Sequence, residues 1–124
     1  MNQQNIAILG LGDVGTAFLK QMLDLSGRGV SVVGVFHQGA TTEGVHLAQQ
    51  AGVKTMSLVD MVALGESVDM IFDLTGDRTI RTELRQILFS SNNQHTVIAP
   101  ECIAQLMYTM MGGETPALSG VSGY

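Results

Sequence analysis

Three glycines, Gly10, Gly12 and Gly15, stand at the spacing G-x-G-x-x-G, with Leu11, Asp13 and Val14 between them. Such a pattern does chemistry through what it lacks. Each glycine removes a Cβ where the backbone must bend sharply, approach a phosphate, or let a helix pack on a strand. An apolar run, residues 6–9, precedes the glycines and an amphipathic run, residues 16–25, follows them. The turn therefore carries the chain from a strand into a helix whose unpaired N–H groups would face a pyrophosphate. Gly10, Leu11, Gly12, Asp13, Val14 and Gly15 are read as a dinucleotide-binding turn, against the alternative of a sharp turn with no ligand. Asp13 is the awkward member. A carboxylate repels a pyrophosphate at close range, so it is expected to face solvent or to cap the helix.

Other chemistry-bearing residues fall where a second and a fourth strand would end. His37 and Gln38 follow the β-branched run 30–36, at the place that reads a ribose. They either hydrogen-bond a 2′-hydroxyl or 2′-phosphate or form an exposed loop pair, and neither carries the fixed charge of arginine. Leu74, Thr75 and Gly76 close the run 68–74 and would line the crevice at the carboxyl ends of the strands. Arg78, Arg81 and Arg85 share one helix face at spacings of three and four. A solvated face is the expectation, with Arg78, in the first turn, nearest the crevice. His95, Glu101 and Cys102 make neither a triad nor a metal cluster, and His37, His46 and His95 lie on unrelated elements.

The elements that must position these residues alternate. Strands are expected at 5–10, 30–36, 53–56, 68–74 and 95–99, and helices at 16–25, 45–51, 58–64, 78–90 and 103–111. Ser57 and Asp77 are N-cap candidates. In the helix 78–90 the apolar stripe is Ile80, Leu84, Ile87 and Leu88; in the last helix Ile103, Leu106, Met107 and Met110 are expected to face inward. Strands joined by helices at this spacing predict an α/β three-layer sandwich around a five-stranded parallel sheet in the order 3-2-1-4-5. Residues 1–111 form the expected domain, and residues 112–124, rich in Gly and Ser, an expected flexible tail.

Bulk composition narrows the function classes. A chain of 124 residues, 45% hydrophobic and 14% charged, fits one globular domain. Six Lys and Arg against eleven Asp and Glu give a net charge of −5, the wrong sign for attraction to nucleic acid. The single cysteine cannot form an internal disulfide and no basic N-terminus leads an apolar segment, so a cytoplasmic protein without membrane insertion is expected. The eight methionines read as flexible core filler or a greasy interface.

With the glycine turn, the second strand and the segment from Asp69 to Gly76 placed, the chain resembles the N-terminal NAD(P)-binding Rossmann domain of oxidoreductases such as homoserine dehydrogenase and dihydrodipicolinate reductase. In those families a strand of the type hydrophobic-hydrophobic-Asp-hydrophobic-Thr ends beside the cofactor, and Ile71-Phe72-Asp73-Leu74-Thr75 occupies that place here. The segment 43–53 is also similar to Rossmann modules of bacterial signalling proteins. The resemblance covers about residues 5–110 and implies NAD or NADP as ligand.

Two departures bear on activity. Phe36-His37-Gln38 stand where the families carry an acid for the adenosine ribose, which leaves the choice between NAD and NADP open. The families also place catalytic residues largely in a C-terminal domain. The expectation is therefore a dinucleotide-binding domain of a dehydrogenase-like protein without its own catalytic domain. The alternative is a nucleotide-sensing regulatory module acting through a protein partner, and a homodimer through the last helix or a sheet edge is expected from the terminal methionines.

Overall fold

A computed structural model describes residues 3–111, so the expected tail at 112–124 lies outside the described residues. The chain runs β1 (Gln4–Leu9), α1 (Asp13–Asp24), β2 (Val30–Phe36), α2 (Glu43–Gln50), α3 (Leu58–Ala63), a short 3₁₀ turn (Gly65–Ser67), β3 (Met70–Asp73), α4 (Arg78–Ser90), β4 (Val97–Pro100) and α5 (Glu101–Met110). Every strand pairing is parallel and the order is β2-β1-β3-β4. Among the described residues no helix is long and apolar enough to cross a membrane.

β1 is apolar without alternation because both of its faces are covered. Ile6 and Ile8 enter a core cluster with Phe18, Leu19 and Met22 of α1, Val45 and Ala48 of α2, and Ala104 of α5. Ala7 and Leu9 enter the opposite cluster with Leu58, Met61 and Val62 of α3 and Ile80, Leu84 and Leu88 of α4. Within the first cluster the rings of Phe18 and Phe72 meet at 4.6 Å, tilted by 48°. Helices thus cover both faces of a parallel sheet, as the alternating pattern predicts.

Among the described residues the sheet has four strands, not five, and the order 3-2-1-4-5 is corrected to β2-β1-β3-β4. Residues 53–56 lie beside β2 as expected but make only an isolated bridge, Thr55 to Val35. Two hydrogen bonds hold it, Val35 N–H to the Lys54 carbonyl at 3.0 Å and Met56 N–H to the Val35 carbonyl at 2.9 Å. The bridge does not lengthen into a ladder on either side. The β1–β2 register passes from Ile6–Val32 to Ala7–Gly34, which leaves Val33 as a bulge, and at the other end His37 folds over the glycine turn.

Two helix faces are also corrected. α5 was expected to bury Ile103, Leu106, Met107 and Met110; Ile103 is 42%, Leu106 57% and Met110 77% exposed, and of the four only Met107 packs on the core. Pro100 ends β4 and at once becomes the N-cap of α5. The helix therefore begins at Glu101, and the face carrying Glu101 and Ala104 turns inward. On α4, Arg81 is not on a solvated face: it is buried, 3.6 Å from the buried Asp73 carboxylate. Arg78 and Arg85 are exposed as expected. The cap and bounds of α4 match the sequence reading, with Asp77 Oδ1 accepting from Thr79 N–H at 2.8 Å and Ile80 N–H at 3.4 Å.

Candidate functional site

The chain leaves β1 toward β2 on one side and returns to β3 on the other, so the carboxyl ends of β1 and β3 flank a topological switch point. Leu9, Gly10 and Leu74 meet there. Gly10 N–H bonds the Phe36 carbonyl at 2.7 Å and Leu74 N–H bonds the Leu9 carbonyl at 2.8 Å, so the strand pairing continues into both turns.

The three glycines do different things. Gly10 has φ +89°, and a Cβ there would lie 2.8 Å from Thr75 Cα; both conformation and space require glycine. A Cβ on Gly15 would lie 1.7 Å from the Gly10 carbonyl oxygen, so Gly15 lets α1 dock against the turn. Gly12, the N-cap of α1, has an extended backbone and an open Cβ direction, with nothing within 4 Å. The fold itself makes no demand for glycine at position 12.

Side chains from three elements lock the peptide groups around Leu11. Its N–H donates to His37 Nδ1 at 3.1 Å. Its carbonyl accepts from Thr16 Oγ1 at 3.0 Å and Thr42 Oγ1 at 2.7 Å. Since His37 Nδ1 accepts, the ring proton sits on Nε2, which donates to the Ala40 carbonyl at 2.8 Å. Both ring nitrogens are thereby committed to holding the loop after β2 against the glycine turn. Thr16 and Thr42 were missed by sequence reasoning. Thr42 carried a signal, as a threonine before Glu43 at a helix start, and it does cap α2 by accepting from Val45 N–H at 3.3 Å.

The β3–α4 turn is held from below. Asp73, fully buried, accepts at Oδ1 from Thr75 N–H at 3.1 Å and Thr75 Oγ1 at 2.7 Å, while its Oδ2 faces Arg81 Nε. Thr75 Oγ1 in turn accepts from Asp77 N–H at 3.2 Å. A buried ion pair thus sets the shape of the rim.

Between the two turns lies a cavity of about 220 Å³ lined by Gly10, Gly12, His37, Gln38, Leu74, Thr75, Asp77 and Ile80. Six of the dinucleotide-site candidates read from the sequence, Gly10, Gly12, His37, Gln38, Leu74 and Thr75, come together there. Leu11, Gly12 and Asp13 line an adjoining groove of about 360 Å³ over α1, with Lys20, Thr42 and Tyr108 among its other walls. Asp13 is exposed, Val14 packs half-buried on the core and Gly15 is buried beneath the turn. Gly76, at φ +64°, shapes the turn without lining the cavity. Arg78 lines a different depression along α4, with Thr79, Thr82, Glu83 and Gln86.

At the amino ends of the strands, far along β3 from this cavity, His95 Nε2 meets Asp69 Oδ1 at 2.7 Å and Asn5 N–H donates to Asp69 Oδ2 at 2.8 Å. The Asn5 N–H first, and then His95, hold the Asp69 carboxyl below its usual range. Cys102 is exposed, and among the described residues no three His, Cys, Asp or Glu side chains gather to hold a metal ion.

No protein-family model matches this chain, and no curated protein matches it in sequence. Solved structures do match its fold. A crystal structure of S. aureus homoserine dehydrogenase at pH 6.5 superposes with a TM-score of 0.58 at 19% identity, over 80% of this chain and 26% of the other. The same enzyme at pH 6.0 gives a TM-score of 0.58 at 17% identity, over 90% and 30%. The likeness is one of fold alone, a Rossmann-like α/β domain, and the chain spans less than a third of the length of those proteins.

Proposed function

We propose that this domain binds a dinucleotide, NAD or NADP, across the carboxyl ends of β1 and β3, and that binding rather than turnover is its activity. The observation that carries the reading is Gly12. Gly10 and Gly15 are explained by the chain's own packing, whereas a Cβ on Gly12, the N-cap of α1, would meet nothing within 4 Å. A phosphate there would meet N–H groups that a helix leaves without intrahelical partners. Gly10, Leu11, Gly12, Asp13, Val14 and Gly15 form the phosphate turn in this reading. His37 and Gln38 lie on the adenosine side, and Leu74, Thr75 and Gly76 form the opposite rim. Arg78 is set aside from the rim by its place along α4.

The nicotinamide ring, when bound, supplies hydride chemistry. Of the cavity's own polar side chains, His37 is tied to Leu11 and Ala40, Thr75 to Asp73 and Asp77 to the end of α4. The ring nitrogens of His37 and the hydroxyl of Thr75 are thereby engaged within the fold, whereas Asp77 uses only Oδ1. Calorimetric titration of the full chain with NADH and NADPH tests the reading: heat of binding with at least one supports it, and none with either at millimolar concentration overturns it. Steady NADH oxidation with a small carbonyl compound would overturn the absence of turnover.

A second reading is a nucleotide-sensing regulatory module that acts through a protein partner, taken here as a second copy of this chain. It is supported by the exposed stripe Ile103, Leu106 and Met110 on α5, beside the edge strand β4 with its exposed Val97. Sedimentation yielding a dimer that Leu106→Glu dissociates would support it; a clean monomer would remove it.

A further inference from the structure

We infer that the cavity takes the unphosphorylated dinucleotide in preference to its 2′-phosphorylated form, with Gln38 as the residue that reads the ribose. The inference rests on the dinucleotide reading above and specifies its ligand. A 2′-phosphate is a dianion made only of acceptors, and its usual reader is the fixed fork of an arginine. Among the described residues lining the cavity there is neither Lys nor Arg, and Asp77 contributes a carboxylate. The nearby cations are placed elsewhere: Arg78 lines its own depression on α4, and Lys20, over α1, lies 3.5 Å from Glu43. A net charge of −5 adds to the cost of bringing in two further negative charges.

His37 stands at the ribose-reading position, but its two nitrogens are occupied by Leu11 and Ala40. Gln38, next along the same loop, is exposed and lines the cavity. Among the described residues its side-chain amide has no hydrogen-bond partner within the fold, unlike those of His37, Thr75 and Asp77. An amide suits a vicinal diol. Its carbonyl accepts from one hydroxyl while its NH₂ donates to the other, whereas a phosphate can use only the NH₂ and faces the carbonyl unfavourably.

Calorimetry of the full chain with NADH and NADPH, repeated on Gln38→Arg and Gln38→Leu, tests the inference. NADH is expected to bind at least about tenfold tighter than NADPH, since one unpaired charge-bearing contact is worth about 1.4 kcal/mol or more. Gln38→Arg should raise NADPH affinity and narrow or reverse the ratio at unchanged thermal stability. Gln38→Leu should weaken NADH several-fold and leave NADPH nearly unchanged. Equal or tighter NADPH binding by the native chain, or a ratio indifferent to Gln38→Arg, would overturn the preference while leaving dinucleotide binding intact. Failure of both cofactors to bind would overturn the underlying function and the preference with it.

Discussion

His37 Nδ1 accepts the backbone N–H of Leu11 at 3.1 Å, across 26 residues of sequence. One imidazole at the end of β2 thereby fixes the conformation of the glycine turn at the end of β1. Replacing His37 by Leu leaves the buried Leu11 N–H without an acceptor, which costs about 1–3 kcal/mol. Equilibrium unfolding in urea should show that loss, and calorimetry a parallel fall in dinucleotide affinity. Unchanged stability would mean that the bond does not hold the turn.

Gly15 is a packing residue and should behave as one. A Cβ 1.7 Å from the Gly10 carbonyl oxygen forces α1 away from the turn. Gly15→Ala is expected to destabilise the domain by about 3 kcal/mol or more, at the upper end of overpacking effects. A melting temperature equal to that of the native protein would contradict the close docking of α1.

The Asp73–Arg81 pair is buried on both sides, with side-chain exposures of 0% and 10%. Removing one partner of such a pair leaves a buried charge, so Arg81→Ala should cost about 3–5 kcal/mol in urea unfolding. Because Asp73 also accepts from the backbone N–H and the hydroxyl of Thr75, Asp73→Ala should in addition weaken ligand binding at the rim. A loss below about 1 kcal/mol in either variant would show that the pair is not structurally required.

Acid stability should report Asp69. Its carboxyl is held below the usual range by Asn5 N–H and His95, so the unfolded chain takes up a proton more readily than the folded one. The stabilisation is complete above about pH 4, the unfolded value, and is lost as pH falls through the depressed folded value. Comparing native protein with Asp69→Asn across that range, the native advantage should shrink below about pH 4. A gap that stays constant with pH would contradict the assignment.

What could be read from the sequence was whatever local spacing encodes. The strand–turn–helix at Gly10 to Gly15, the Ser57 and Asp77 caps and the apolar stripe of α4 all follow from neighbours within one or two turns. Pairings over long separations were not legible. Nothing near His37 announces Leu11 as its partner, and nothing near Arg81 announces Asp73; a buried arginine and a solvated one share the same spacing. α5 misled for a related reason. Counting its apolar residues favours Ile103 and Leu106, but the helix is oriented by Pro100 and by the buried Glu101 and Ala104. The strand at 53–56 failed on its neighbour, since the bulge at Val33 interrupts the edge it would have joined.

Substitution at Gly12 tests the central claim most directly, because the open space there means that the fold tolerates a side chain and a bound pyrophosphate does not. For Gly12→Val, urea unfolding should stay within about 1 kcal/mol of the native chain, the scale of an N-cap change, while calorimetry shows NADH affinity falling at least about tenfold, or 1.4 kcal/mol. Undiminished NADH binding by a stably folded Gly12→Val chain would place the phosphate elsewhere and contradict the account.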